Sequence, residues 1–299
     1  MSRAVKLAAI VGVALLAIAA LGAWRFFGPP ATVSDRAVSG VLIGHHRFAG
    51  VVTVTGDITV LGHLIVDPGT TVRFVASDDV GWGDEVPADG YNDADPTRLE
   101  AYTKTHAALI VLGRMTAVGT ATDPIVFTSA EPTPKLADWE AFYFFGNGSA
   151  FDSITVEYSR QGMNPLGHQP DSVARNSVFR HNLWSGPSLS SSSMRLYDSD
   201  ISDAGHEGVD VQGGRAVIKG NRIHDIHAGI VVVAGSAVVE DNVLWNVGDG
   251  FGPPGAVIEA KNNDVRLADP DDPAVAAMEW RYGDFAYHMF GPATVGDKR

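Results

Sequence analysis

Cysteine is absent from all 299 residues, which excludes disulfides, thiolate zinc sites, thiol nucleophiles and a lipid-modified cysteine. Basic residues are scarce too: 22 Lys and Arg stand against 35 Asp and Glu, for a net charge of −13. A field of that sign repels polyanions and disfavours nucleic acid and anionic lipid as partners. Missing also are a Gly-rich phosphate loop, a Gly-x-Ser-x-Gly nucleophile elbow and a His-Glu-x-x-His metalloprotease helix. Long apolar runs are lacking with one exception, from Leu7 to Trp24, which follows Arg3 and Lys6 and is closed by Arg25, Phe26 and Phe27. Its length and flanks predict an uncleaved signal anchor over residues 1–27, with cleavage near Ala20, Gly22 and Ala23 as the alternative. Either way the rest of the chain is expected outside the cytoplasm, at the cell surface or in the periplasm. Three basic residues (Arg3, Lys6 and Arg25) lie in that run and all 35 acids follow it, so the exported part would carry −16.

What the sequence does contain is a repeat. Asn176, Ser199, Asn221, Asn242 and Asn263 are each followed two residues later by an aliphatic side chain: Val178, Ile201, Ile223, Leu244 and Val265. Successive copies lie 21–23 residues apart, the period of a structural turn stacked on its neighbour. The aliphatic members are expected to form an inward ladder and the asparagines a hydrogen-bonded one. Gly186, Gly208, Gly229 and Gly250 are expected at the next corner, where they would supply unusual backbone angles.

Short β-branched runs broken by Gly, Asp and Pro occur as early as Val51–Val54 and predict strands throughout. The stretch Val60-Leu61-Gly62-His63-Leu64-Ile65-Val66-Asp67-Pro68-Gly69-Thr70-Thr71-Val72-Arg73-Phe74 resembles the opening of right-handed parallel β-helix proteins of bacterial surfaces. So does Leu112-Gly113-Arg114-Met115-Thr116-Ala117-Val118-Gly119-Thr120, which leads through Asp123-Pro124-Ile125-Val126-Phe127-Thr128-Ser129 to Asp138-Trp139-Glu140. The later Asn rungs resemble the generic pectin-lyase-like β-helix region. The resemblance implies an all-β, right-handed parallel β-helix and leaves activity open, since that fold carries lyases, hydrolases, epimerases, adhesins and stalks. Residues 28–40 are expected to be a linker and 41–268 the solenoid, interrupted by an acidic loop over 78–104. A Pro-initiated helical cap and tail are expected over 269–299.

Register turns scattered polar residues into candidate sites. Counting four residues from the repeat Asn or Ser aligns Arg180, Asp203, Asp225 and Asn246, and counting back from the corner glycines aligns His206 with His227. Asp203, Asp225, His206 and His227 would then form one patch able to supply a general acid and a general base, or to ligate zinc, manganese or iron. Turn residues that serve only the fold are the competing explanation. Phe179, His224 and Trp245, three positions after the repeat Asn, are expected to form an outward aromatic strip for sugar rings, with neighbouring Asp residues for hydroxyls and Asp210, one strand further on, as a further binding residue. The loop acids Asp89, Asp93, Asp95 and Glu100 partly follow a twelve-residue calcium loop, but Tyr91 and Ala94 stand where a ligand and the turn glycine belong. Calcium is thus the candidate cofactor at these acids, with a solvated acidic loop as the competing explanation.

These features favour a membrane-tethered, extracytoplasmic β-helix that presents a surface to polysaccharide or another cell-envelope component. A polysaccharide-active enzyme using the Asp/His patch is the alternative, and a non-catalytic scaffold is the third reading.

Overall fold

Runs of three to five β-branched residues are too short to be stable as isolated hairpins, but each can pair in parallel with its equivalent one turn away. The computed structural model describes residues 26, 28–76, 106–190, 192–205 and 207–269, and they form a solenoid of parallel strands from Ala31–Ile43 to Asp264–Leu267. Three faces result, each one strand wide per turn. The first contains Leu64–Val66, Met115–Val118 and Ala150–Asp152, the second Thr71–Phe74, Ile125–Ser129 and Ile154–Glu157, and the third Leu109–Val111, Phe142–Phe144 and Met163–Pro165. Parallel pairing begins at Ala31 with His46, so the segment expected as a linker already contributes the first turn. The apolar N-terminal run, the acidic loop with Asp89, Asp93, Asp95 and Glu100, His206 and the expected helical cap lie outside the described residues. Among the described residues, no helix is long and apolar enough to cross a membrane.

Alternation buries one column per strand. On the second face the inward column runs Val52, Val72, Phe127, Val156, Phe179, Ile201, Ile223, Leu244 and Val265. Phe179, not Val178, occupies the expected aliphatic ladder. Ser177 correspondingly holds the place expected of Asn176, whose φ of 51° puts it in a turn one residue earlier. The polar ladder is therefore Ser177, Ser199, Asn221, Asn242 and Asn263, in which the backbone N–H of each of the first four donates to the side-chain oxygen of the next turn at 2.9–3.2 Å. Aromatics fill the earlier turns, where Trp139 stacks on Phe74 at 4.1 Å.

The corner glycines have a different role from the one expected. None of Gly186, Gly208, Gly229 and Gly250 has a positive φ. They make room: a Cβ on Gly229 would lie 2.5 Å from Leu244 Cδ2, and one on Gly250 would lie 2.7 Å from Val265 Cγ1. The chain thus crosses directly against the aliphatic column of the second face.

Candidate functional site

Outward positions of the second face bring Glu157, Arg180, Ser202, His224 and Trp245 into one register. The residues just after them turn the corner in the left-handed region: Tyr158, His181, Asp203, Asp225 and Asn246 have φ of 47–61°. Asp and Asn tolerate that conformation best among residues with a side chain, so the backbone itself accounts for three of the five. Two ring pairs line this edge. Tyr158 stacks on His181 with centroids 5.3 Å apart, and His224 stacks on Trp245 at 4.1 Å and 9°. Carboxylates hold the imidazoles in place. His181 Nδ1 lies 2.5 Å from Asp203 Oδ2, and His224 meets Asp225 at 2.6 Å through Nδ1 and Asp200 at 3.2 Å through Nε2. Asn246 Nδ2 donates to Asp225 Oδ1 at 2.5 Å.

Several expected neighbours are rearranged. Asp203 and Asp225 do fall one turn apart, but the one-residue offset at Asn176 aligns them with His181 and not with Arg180. Among the described residues, Asp203 meets the imidazole of His181 and Asp225 that of His224. His227 is buried at 8% exposure, whereas the Asp203 and Asp225 side chains are 35% and 47% exposed. Phe179 is removed from the aromatic strip, because it is fully buried in the inward column. His224 and Trp245 remain on the outer face, half-buried. Among the described residues, no group of three His, Asp or Glu side chains is arranged to hold a metal ion.

The third face carries a polar band of which the sequence pattern marks Asp210 alone. Glu140 accepts two hydrogen bonds from Arg160, at 2.7 and 2.5 Å, and one from Tyr143 Oη at 2.9 Å, with both charges buried. Burial opposes the Arg160 charge, but the Glu140 carboxylate raises its pKa above the ordinary value. Burial and the same carboxylate push the Tyr143 phenol up. Trp184 lies under the Arg160 guanidinium, 5.2 Å from ring centroid to Cζ. Further along, Asp210 pairs in register with Ser188, whose hydroxyl donates to it at 3.2 Å, while Gln212 donates to the same oxygen. Asp210 Oδ1 is buried without a hydrogen-bond partner, and burial, only partly offset by Gln212 and Ser188, raises the carboxyl pKa from 3.8 to about 6.

The comparisons with known proteins bear on the fold. A family model described as the right-handed β-helix region matches residues 141–266. The chain is a right-handed parallel β-helix repeat protein. Two crystal structures of the periplasmic alginate epimerase AlgG, one of them a point variant, are similar to it. The variant is 9% identical with a TM-score of 0.41 and the other 11% identical with a TM-score of 0.40. Each match covers 82% of this chain and 88% of the other. No curated protein sequence matches.

Two chemistries are therefore available on the flanks of the β-helix. The second face offers half-buried ring stacks with acceptor oxygens around them, suited to a hydroxylated, partly apolar ligand. The third face offers a buried acid, and its titration makes a measurable prediction. The folded state keeps a proton on Asp210 that the unfolded chain releases between about pH 4 and 6, so the carboxyl reduces stability as pH rises through that window. Asp210→Asn is expected to match the wild type below about pH 4 and to be more stable by about 1–3 kcal/mol at pH 8. Thermal unfolding across that range checks this, and a difference that does not change with pH would refute it.

Proposed function

We propose that the chain is an extracytoplasmic β-helix, tethered to the membrane through residues 1–27, that binds polysaccharide or a related cell-envelope component along the outer edge of its second face. The observation that carries this reading is the His224–Trp245 stack, half-buried and flanked by Asp200, Asp225 and Asn246. A flat indole accepts the apolar face of a sugar ring, and the neighbouring carboxylate and amide oxygens accept its hydroxyl protons. Neutral glycans fit best, because an acidic protein repels uronate polymers.

The test is a glycan-array screen of the full chain in a zwitterionic detergent. Trp245→Ala is expected to weaken binding to the best glycan by about tenfold or more, as loss of a central aromatic anchor does. Absence of glycan binding by the wild type would overturn the proposal.

A polysaccharide-active enzyme is the second reading, favoured by Asp210, a buried acid poised to hold or release a proton near pH 6. Asp203, Asp225, His206 and His227 remain its other acid–base candidates. Glycan turnover that is abolished in Asp210→Asn but retained in Trp245→Ala would favour that reading. The helical cap over 269–299 and calcium at Asp89, Asp93, Asp95 and Glu100 stay within the same proposal.

A further inference from the structure

Arginines along the β-helix are generally held by a carboxylate on a neighbouring strand, as in Arg47–Asp67, Arg175–Asp152 and Arg222–Asp200. Arg36 and Arg73, like Arg114 and Arg195, depart from that pattern. Of these, Arg36 and Arg73 line a cleft of about 370 Å³ at the N-terminal end of the solenoid, together with Asp35, Ala37, Val51 and Thr53. Arg73 donates from Nε to Thr53 Oγ1 at 2.8 Å, and among the described residues neither guanidinium forms an ion pair. The one carboxylate in the cleft is already engaged: Asp35 accepts from the Val51 backbone N–H at 2.9 Å and from the Ser34 hydroxyl at 2.7 Å. In a protein with a surplus of acids, two guanidinium groups in one cleft without a carboxylate partner form a receptor for an oxyanion, whose oxygens match their planar donor forks.

The surroundings select among oxyanions. This end of the solenoid exposes Phe26, Val41, Ile43 and Val51 at 39–62%, an apolar rim on the same first turns as the cationic cleft, which Val51 itself lines. Phe26, from the end of the apolar N-terminal run, packs edge-on against His45 of the first turn with centroids 6.4 Å apart. Seven residues separate Phe27 from Asp35, so an embedded run would keep the cleft no more than about 30 Å from the bilayer surface. Apolar side chains around a cationic cleft suit the interface of a bilayer, where acyl chains and phosphates meet. The overall negative charge argues against recruitment from solution, but a tethered chain needs none, and screening confines that repulsion to about 10 Å.

We propose that the Arg36–Arg73 cleft binds the headgroup phosphate of a membrane phospholipid and so seats the first turn of the β-helix on the bilayer. This rests on the tethered reading above. No bond is made or broken. The lipid is held by charge-assisted hydrogen bonds from the two guanidinium groups, and the rim contacts the upper acyl chains.

Hydrogen exchange on the full chain tests it, comparing phosphatidylglycerol nanodiscs with maltoside micelles, which offer no phosphate. Amides of residues 34–37 and 71–74 are expected to exchange roughly tenfold more slowly in the discs, as loss or gain of a charge-assisted hydrogen bond implies. The R36Q/R73Q double variant should remove that protection, while R215Q, at a distant paired arginine, should keep it. Equal exchange in discs and micelles, or protection that survives in R36Q/R73Q, would overturn the proposal. Protection produced by inorganic phosphate in micelles and absent in the discs would also overturn it, since the cleft would then be a site for a free anion. Failure of the tether itself is read separately, as loss of the full chain from the discs during size-exclusion chromatography.

Discussion

Glu140→Ala is expected to destabilise the fold by about 3–5 kcal/mol, the cost of leaving a buried charge without its partner. Arg160 is almost fully enclosed, and two of its guanidinium nitrogens donate to the Glu140 carboxylate. Removing that carboxylate leaves a cation that water cannot reach and a Tyr143 hydroxyl without its acceptor. The pair as a whole contributes far less than either half appears to when removed singly, because burying two charges costs nearly as much as their attraction returns. The Glu140→Leu, Arg160→Met double variant is therefore expected to lie within about 1–2 kcal/mol of the wild type. Urea unfolding of the three proteins checks this, and a loss below about 1 kcal/mol in Glu140→Ala would show that the charge finds other solvation.

The second large effect is expected at Asn221. Its Oδ1 accepts from the Ser199 backbone N–H at 3.0 Å, and its Nδ2 donates to Leu196 O at 3.1 Å and Asn242 Oδ1 at 3.0 Å. Leucine has similar bulk and no polar atom, so Asn221→Leu would strand a buried N–H and a buried carbonyl in the middle of the solenoid. At about 1–3 kcal/mol for each orphaned group, a loss of about 3 kcal/mol or more is expected by chemical denaturation. A loss below about 1 kcal/mol would mean that water enters the column and replaces the side chain.

The 21–23-residue period made the solenoid legible because a stacked turn must repeat its inward side chains and its corners. What period could not fix was phase where the chemistry of the repeat changed. In the turn that starts near Arg175, asparagine and serine are adjacent, and Asn176 looks like the ladder residue while Ser177 performs its role. That slip of one residue moved Phe179 from core to surface, since side chains alternate across a strand. It also shifted Arg180 against Asp203. From Ser199 onward the repeat residue and the ladder residue coincide, and His224 and Trp245 share one outward register.

The rest of the polar band on the third face was illegible for a different reason. Glu140 and Arg160 belong to adjacent turns, yet neither sits at a repeat position, and a buried ion pair leaves no local pattern in the sequence. His181 carries no sequence signal either, because its link to Asp203 exists only once the left-handed corners are stacked. Asp203 and Asp225 were found by counting, but the property that unites them with Asn246 is a backbone angle.

The polar ladder on the second face has a direction. Ser177, Ser199, Asn221 and Asn242 each give a backbone N–H to the side chain of the following turn, never of the preceding one. Every turn is thus completed by its successor. A chain shortened from its N-terminal side leaves each remaining N–H of the column with its acceptor, whereas each turn removed from the C-terminal side orphans one. Growth of such a solenoid by duplication is correspondingly asymmetric: a new turn inserts freely wherever it brings its own oxygen, and the last turn of the series must find an ending of another kind.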